Sequence, residues 1–233
     1  MLEAAAWGLL GASSLMAGAV IGLKVPIRDR LLGLLLGFGA GTLISALSFE
    51  LTEEAFRLGG ADTVAAGLGA GALTYYVGDR LIENRGGRST AAGVGPALVL
   101  GAVLDGIPET AVIGISLLGG AGVSVPMLAA VFLSNLPESV SAAAEMKDER
   151  PSRVLALWAL VTAACAAAAA IGYGALDGAS GDLIGFIQAF AGGAVLMTIA
   201  DAMLPEAREK GGRAVGLLTV LGFALAYLLS TLE

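Results

Sequence analysis

Apolar residues occur in this chain as long blocks, broken by short clusters of charged residues, proline and glycine. The blocks approach the ~20 residues that a helix needs to cross the hydrocarbon core of a bilayer. The pattern predicts eight helical spans, at roughly 4–23, 31–52, 61–79, 95–118, 124–145, 153–175, 183–205 and 213–231. The expected fold is therefore all-α: a polytopic membrane protein with one domain over residues 1–233. The first block follows Met1-Leu2-Glu3 without a basic flank and reads as a retained span, not a cleaved leader.

The basic residues give the spans a direction. Lys24, Arg28 and Arg30 fall between spans 1 and 2, and Arg80, Arg85 and Arg88 between 3 and 4. Lys147, Arg150 and Arg153 fall between 5 and 6, and Arg208, Lys210 and Arg213 between 7 and 8. Four connections thus hold twelve of the 13 basic residues, and only Arg57 lies in the other set. The positive-inside rule makes those four connections cytoplasmic and, with an even number of spans, puts both termini outside.

A weak internal repeat accompanies this alternation. Phe38-Gly39-Ala40-Gly41 precedes Glu54-Ala55 at the same spacing as Phe190-Ala191-Gly192-Gly193 precedes Glu206-Ala207. The copies fall on spans 2 and 7, which run in opposite directions. This suggests an inverted repeat of spans 1–3 and 6–8 around spans 4–5, an arrangement common in transporters.

Composition agrees with a membrane class. Hydrophobic residues make up 57% of the 233 residues, charged residues 14%, and mean hydropathy is +0.84. A soluble domain carries ~25% charged residues. The net charge of -7 argues against a nucleic-acid partner. A single cysteine, Cys165, excludes an internal disulfide. The chain has no histidine, which removes the commonest transition-metal ligand and the usual proton-transfer base.

The remaining candidate chemistry lies in spans 4 and 5. Span 4 carries Leu104-Asp105-Gly106-Ile107-Pro108-Glu109-Thr110, and span 5 carries Leu133-Ser134-Asn135-Leu136-Pro137-Glu138-Ser139. Asp105 and Glu109 are four residues apart and share a helix face, as do Ser134 and Glu138. Pro108 and Pro137 cannot donate to the carbonyls of Leu104 and Leu133, leaving backbone oxygens near the carboxylates. An acid at the centre of a span costs about 2.5–3.5 kcal/mol. No Lys or Arg lies deeper than the first residue of a predicted span to offset Asp105, Glu109 and Glu138. They are then protonated, or they bind a cation from solution. A divalent cation held by Asp105, Glu109, Ser134, Asn135 and Glu138 fits an all-oxygen ligand set. The alternative for the hydroxyls, Asn135, Thr110 and Ser139 is that they join helices by hydrogen bonds.

These duplicated segments resemble the ZIP family of divalent-metal (zinc/iron) transporters, whose spans 4 and 5 carry His-Asn-x-x-Glu-Gly-type motifs, often with proline before the glutamate. Eight spans, outside termini and the span-7 ending Met203-Leu204-Pro205-Glu206-Ala207 fit the same family. The chain would be a divergent, histidine-free member. Asp105 stands where the family usually has histidine, and Gly106 where it has the asparagine of a second metal site. Ser134 stands in place of histidine or glutamine. Some bacterial members complete a second site with a span-6 glutamate; span 6 here has no acid, and Cys165 falls near that place. The resemblance implies alternating-access uptake of zinc, cadmium, manganese or iron toward the cytoplasm, with the metal as substrate and the lipid bilayer as surroundings. It is also compatible with a homodimer.

Other acids carry less. Glu50, Glu53 and Glu54 lie near the outer mouth and read first as solvated. Asp201, near the cytoplasmic end of span 7, is a candidate exit ligand. Cys165 reads as packed or lipid-facing. No enzyme is expected. An intramembrane aspartyl protease needs two deep aspartates, whereas Asp201 is shallow and Tyr76-Val77-Gly78-Asp79 sits at a span end. The other alternative is a non-transporting or metal-sensing protein on the same fold.

Overall fold

The computed structural model describes residues 1–84, 106–119 and 122–232. Asp105, Arg85, Arg88 and the predicted start of span 4 lie outside the described residues. Among the described residues every regular element is helical. In chain order these are α1 (Leu2–Lys24), α2 (Asp29–Ala46), a π-turn (Leu47–Thr52), α3 (Glu53–Asn84), α4 (106–116) and α5 (Val125–Glu145). They are followed by α6 (Pro151–Leu176), α7 (Gly181–Thr198), a second π-turn (Ile199–Met203), α8 (Leu204–Gly211) and α9 (Val215–Ser230).

Local chemistry sets several of the boundaries. Ser124 caps α5 by accepting from the Met127 amide at 3.2 Å, and Ser180 caps α7 by accepting from Leu183. Pro151 opens α6, where its missing N–H costs nothing. At Gly60 the backbone turns to φ 74 and ψ -177, which breaks the stretch from Asp29 to Asn84 into two helical arms. Gly212, at φ 69, does the same between α8 and α9. Both angles lie in the region that glycine alone adopts readily.

Those two breaks fall later than the predicted ends of spans 2 and 7, at 52 and 205. Helix continues past each apolar block because the π-turns connect directly to polar turns carrying Glu53, Glu54 and Arg57, and Glu206 and Lys210. The π-turns have local causes. Thr52 donates its hydroxyl to the Leu47 carbonyl at 2.8 Å, five residues back. Pro205 has no N–H to give to the Asp201 carbonyl.

The repeat seen in the residues extends to the backbone. Phe38 and Phe190, the π-turn starts Leu47 and Ile199, and the breaks Gly60 and Gly212 are all 152 residues apart (190 minus 38, 199 minus 47, 212 minus 60). Packing follows the same pairing. Gly41 and Gly222 seat α2 and α9 against the carbonyls of Thr219 and Phe38, while Gly193 and Gly71 seat α7 and α3 against those of Leu68 and Phe190. A methyl at any of the four would overlap backbone, so these contacts need small residues.

The main core joins Leu36, Leu43, Leu51, Val112, Ile113, Met127, Val131 and Ile199. A second cluster packs Leu15, Val154, Trp158 and Cys165 between α1, α5 and α6. The outward faces are apolar too: Leu160 is 66% exposed and Leu217 74%. A soluble molecule cannot leave such faces in water, whereas a lipid-embedded one can. Five helical stretches among the described residues are long and apolar enough to cross a membrane. They include Asp29–Leu81 and Gly181–Ser230, the two broken at Gly60 and Gly212.

Two cavities sort the connections into two sets. One, of about 800 Å³, is lined by Glu50, Glu53 and Arg57, by the α4–α5 connection and by Ile184 and Gln188 of α7. The other, of about 490 Å³, is lined by Val25 and Ile27, by Lys147, and by Glu209 and Lys210. Three of the four basic connections therefore meet at one cavity, and the connections with few basic residues meet at the other.

Candidate metal centre

Of the five predicted ligands, four lie in the described residues, and the structure buries three of them fully. Glu109 on α4 is 2% exposed, Ser134 and Asn135 on α5 are 0% and 1%, and Glu138 is partly buried. Asp105, the fifth, lies outside the described residues. Among the described residues no three of the His, Cys, Asp and Glu type come together as a metal cluster.

Cys165 of α6 is fully buried. A methyl on Gly106 would sit 2.8 Å from its sulfur. The packed alternative for Cys165 is thus the observed one, and it packs beside the Pro-Glu segment of α4.

α5 bears its half of the site between two neighbours. On one side, Gly39 of α2 approaches Ser134 so closely that an added methyl would lie 2.9 Å from its Cα and 3.2 Å from the Leu133 carbonyl. That carbonyl is the one Pro137 leaves without its helical donor. On the other side, Gly18 of α1 packs on the Leu136–Val140 backbone. α5 is therefore held with its Ser134–Glu138 face toward the interior.

Hydrogen bonds separate helix-bound hydroxyls from open donors and acceptors. Thr110 donates to the Gly106 carbonyl at 2.7 Å, Ser139 to Asn135 at 2.7 Å, and Ser134 to Val131 at 3.0 Å. Thr110 thus ties its own helix, while Ser139 also reaches the Ser14 carbonyl of α1 at 3.4 Å. Ser134 spends its proton on its own helix but keeps its oxygen lone pairs. The Nδ2 of Asn135 is buried without a partner among the described residues. An orphaned buried amide costs about 1–3 kcal/mol.

Polar groups that were not legible as a site flank the carboxylates at both cavities. In the larger one, Ser124 donates to Glu50 at 2.7 Å, and Arg57 grips Glu54 through two bonds of 2.7 and 2.6 Å. Glu50, Glu53 and Glu54 read first as solvated loop acids, yet they line this cavity together with the buried Gln188. In the smaller one, Ser141 of α5 donates to Glu206 of α8 at 2.5 Å, and Lys210 bonds both Ser141 and Glu206. Glu206 was visible as a repeat residue; its partner 65 positions away was not. Asp201, the candidate exit ligand, is exposed in the second π-turn.

No family model matches the chain. A curated protein of Arabidopsis thaliana, provisionally named a zinc transporter, is 27% identical over 226 residues, covering 92% of this chain. The chain spans about a third of that relative, 36% of its length. Over nearly its whole length, then, this chain resembles the ZIP family of divalent-metal (zinc/iron) transporters, as a relative without histidine.

Proposed function

We propose that this chain is a ZIP-like carrier of divalent metal cations, zinc or a related transition metal, which it moves toward the cytoplasm by alternating access. The observation that carries the reading is the pair Glu109 and Glu138. Both follow a proline on consecutive apolar helices; Glu109 is 2% exposed and Glu138 partly buried. In this reading the two glutamates bind the ion from facing helices. Asp105 completes the site where the family has histidine, with Ser134 and Asn135 beside it. An all-oxygen set favours harder ions than a histidine set does.

The reading has one transporter domain over residues 1–233 with eight spans, placed in the cell membrane with both termini outside. The paired breaks at Gly60 and Gly212 support the count, and the 152-residue correspondence supports inverted repeats. Val112, Met127 and Val131 belong to the buried apolar core, and Val112 and Met127 also line the larger cavity. Rocking of one helix bundle against the other would open one side as it closes the other. The relative's name supports a metal as substrate. Purified protein in vesicles tests the reading: metal-dependent uptake by wild type, lost in Glu138→Ala, is the expected result.

A further inference from the structure

One face of α5 carries oxygen-bearing side chains from the middle of the helix to its last residue. Ser134, Glu138, Ser141 and Glu145 stand at i, i+4, i+7 and i+11, so they follow one another along that face. Glu145 lies two turns beyond Glu138, about 10 Å along the helix axis. Ser141 is 4% exposed and lines the smaller cavity together with Glu145 and Lys210. The row therefore runs from the level of Glu138 to the cavity at the basic connections.

A positive charge already sits on the inner part of this row, and it belongs to the protein. Lys210 of α8 donates from Nζ to Ser141 Oγ and, at 2.6 Å, to Glu206 Oε1. Its ammonium is also 3.9 Å from Glu145 Oε1. Ser141 donates in turn to Glu206 at 2.5 Å. Oxygens of α5 and α8 thus stand around one ammonium. The matching acid of the first repeat is held differently. Glu54, 152 residues before Glu206, is gripped by Arg57 of its own helix, and the Arg57 side chain is 71% exposed. The Lys210 side chain is only 21% exposed, and it bridges two helices.

In the carrier reading, an ion leaving Glu138 toward the basic connections meets Ser141 next. With the ammonium in place, that oxygen is taken and a second positive charge is repelled. The link is also releasable, because a lysine head on its flexible stem makes separate single contacts and not a rigid fork.

We propose that Lys210 is a tethered-cation plug. Its ammonium closes the inner end of the oxygen row on α5 and ties α8 to α5 there, and its release from Ser141 opens that end. The plug rests on the carrier reading for the ion that passes, not for the closure itself.

The test reads opening without metal. In purified full-length protein carrying Cys165→Ala, Val140→Cys places a thiol at a 4% exposed position that lines the same cavity. Its rate of reaction with a small neutral methanethiosulfonate is compared with and without Lys210→Met. It is compared again with Ser141→Ala, which removes the α5 contact and keeps the Lys210–Glu206 pair. Each change should speed the reaction at least about threefold. Loss of a nearby cation by itself leaves a thiol less reactive, so a faster reaction reports opening. Ile184→Cys, in the larger cavity, should react no faster. Folding of each variant is checked by its thermal unfolding midpoint; should one not fold, the other decides. Unchanged rates at residue 140 in the folded variants, or an equal rise at Ile184→Cys, overturn the proposal. If wild type carries no metal into vesicles while residue 140 still opens, the carrier reading fails and the closure stands. Metal uptake by wild type with unchanged rates at residue 140 keeps the carrier reading and removes the plug.

Discussion

At the scale of single residues, acids within apolar blocks are the strongest signal in this sequence. Glu109 stands out in the sequence because an acid in an apolar block is costly. Its duplication as Pro-Glu in the next block pointed to Glu138 by the same reasoning. In the carrier reading, the absence of histidine bears on selectivity. Restoring a nitrogen ligand with Asp105→His should raise the preference for Zn²⁺ over Mn²⁺ by roughly tenfold, measured by competition binding on the purified protein. Unchanged selectivity would place Asp105 away from the ion. Gln188 was not legible in the same way. An amide in an apolar helix gives the same sequence signal as any interhelical tie, and only its burial beside Glu50 and Glu53 distinguishes it.

At the scale of elements, the periodicity of apolar blocks located the helices well but misplaced two ends. Spans 2 and 7 continue as helix beyond residues 52 and 205, because polar side chains on a helix that has left the apolar block look like a loop in sequence. The π-turns were not visible either: widening one turn changes backbone bonding without requiring a particular side chain. The breaks at Gly60 and Gly212 can be tested directly. A methyl at either position meets nothing within 4 Å, so alanine there is penalised by backbone angle alone. Gly60→Ala and Gly212→Ala should each lose about 1–2 kcal/mol, seen as similar drops in the detergent unfolding midpoint. Gly41→Ala, which drives a methyl into the Thr219 carbonyl, should lose more. Equal stability of all three with wild type would contradict the observed backbone.

At the scale of the whole molecule, charge asymmetry and cavity geometry agree. The clusters around Lys24, Lys147 and Lys210 were assigned to one side by counting, and Val25, Lys147 and Lys210 line one cavity. Arg57 lines the other. In a Cys165→Ala background, Arg57→Cys in intact cells should react with a membrane-impermeant maleimide, and Lys147→Cys only after lysis. The reverse pattern would invert the orientation. The sequence does not name an ion, because carboxylate and amide oxygens accept several divalent metals.

The most direct measurement is metal accumulation by vesicles containing either wild type or Glu138→Ala, each monodisperse and with a matching unfolding midpoint. Glu138 supplies one of the two carboxylates around which the carrier reading is built. Wild type should accumulate Zn²⁺ or Cd²⁺ above empty vesicles, and Glu138→Ala should fall to their level. Undiminished accumulation by folded Glu138→Ala protein would contradict a transport path through the Glu109–Glu138 pair.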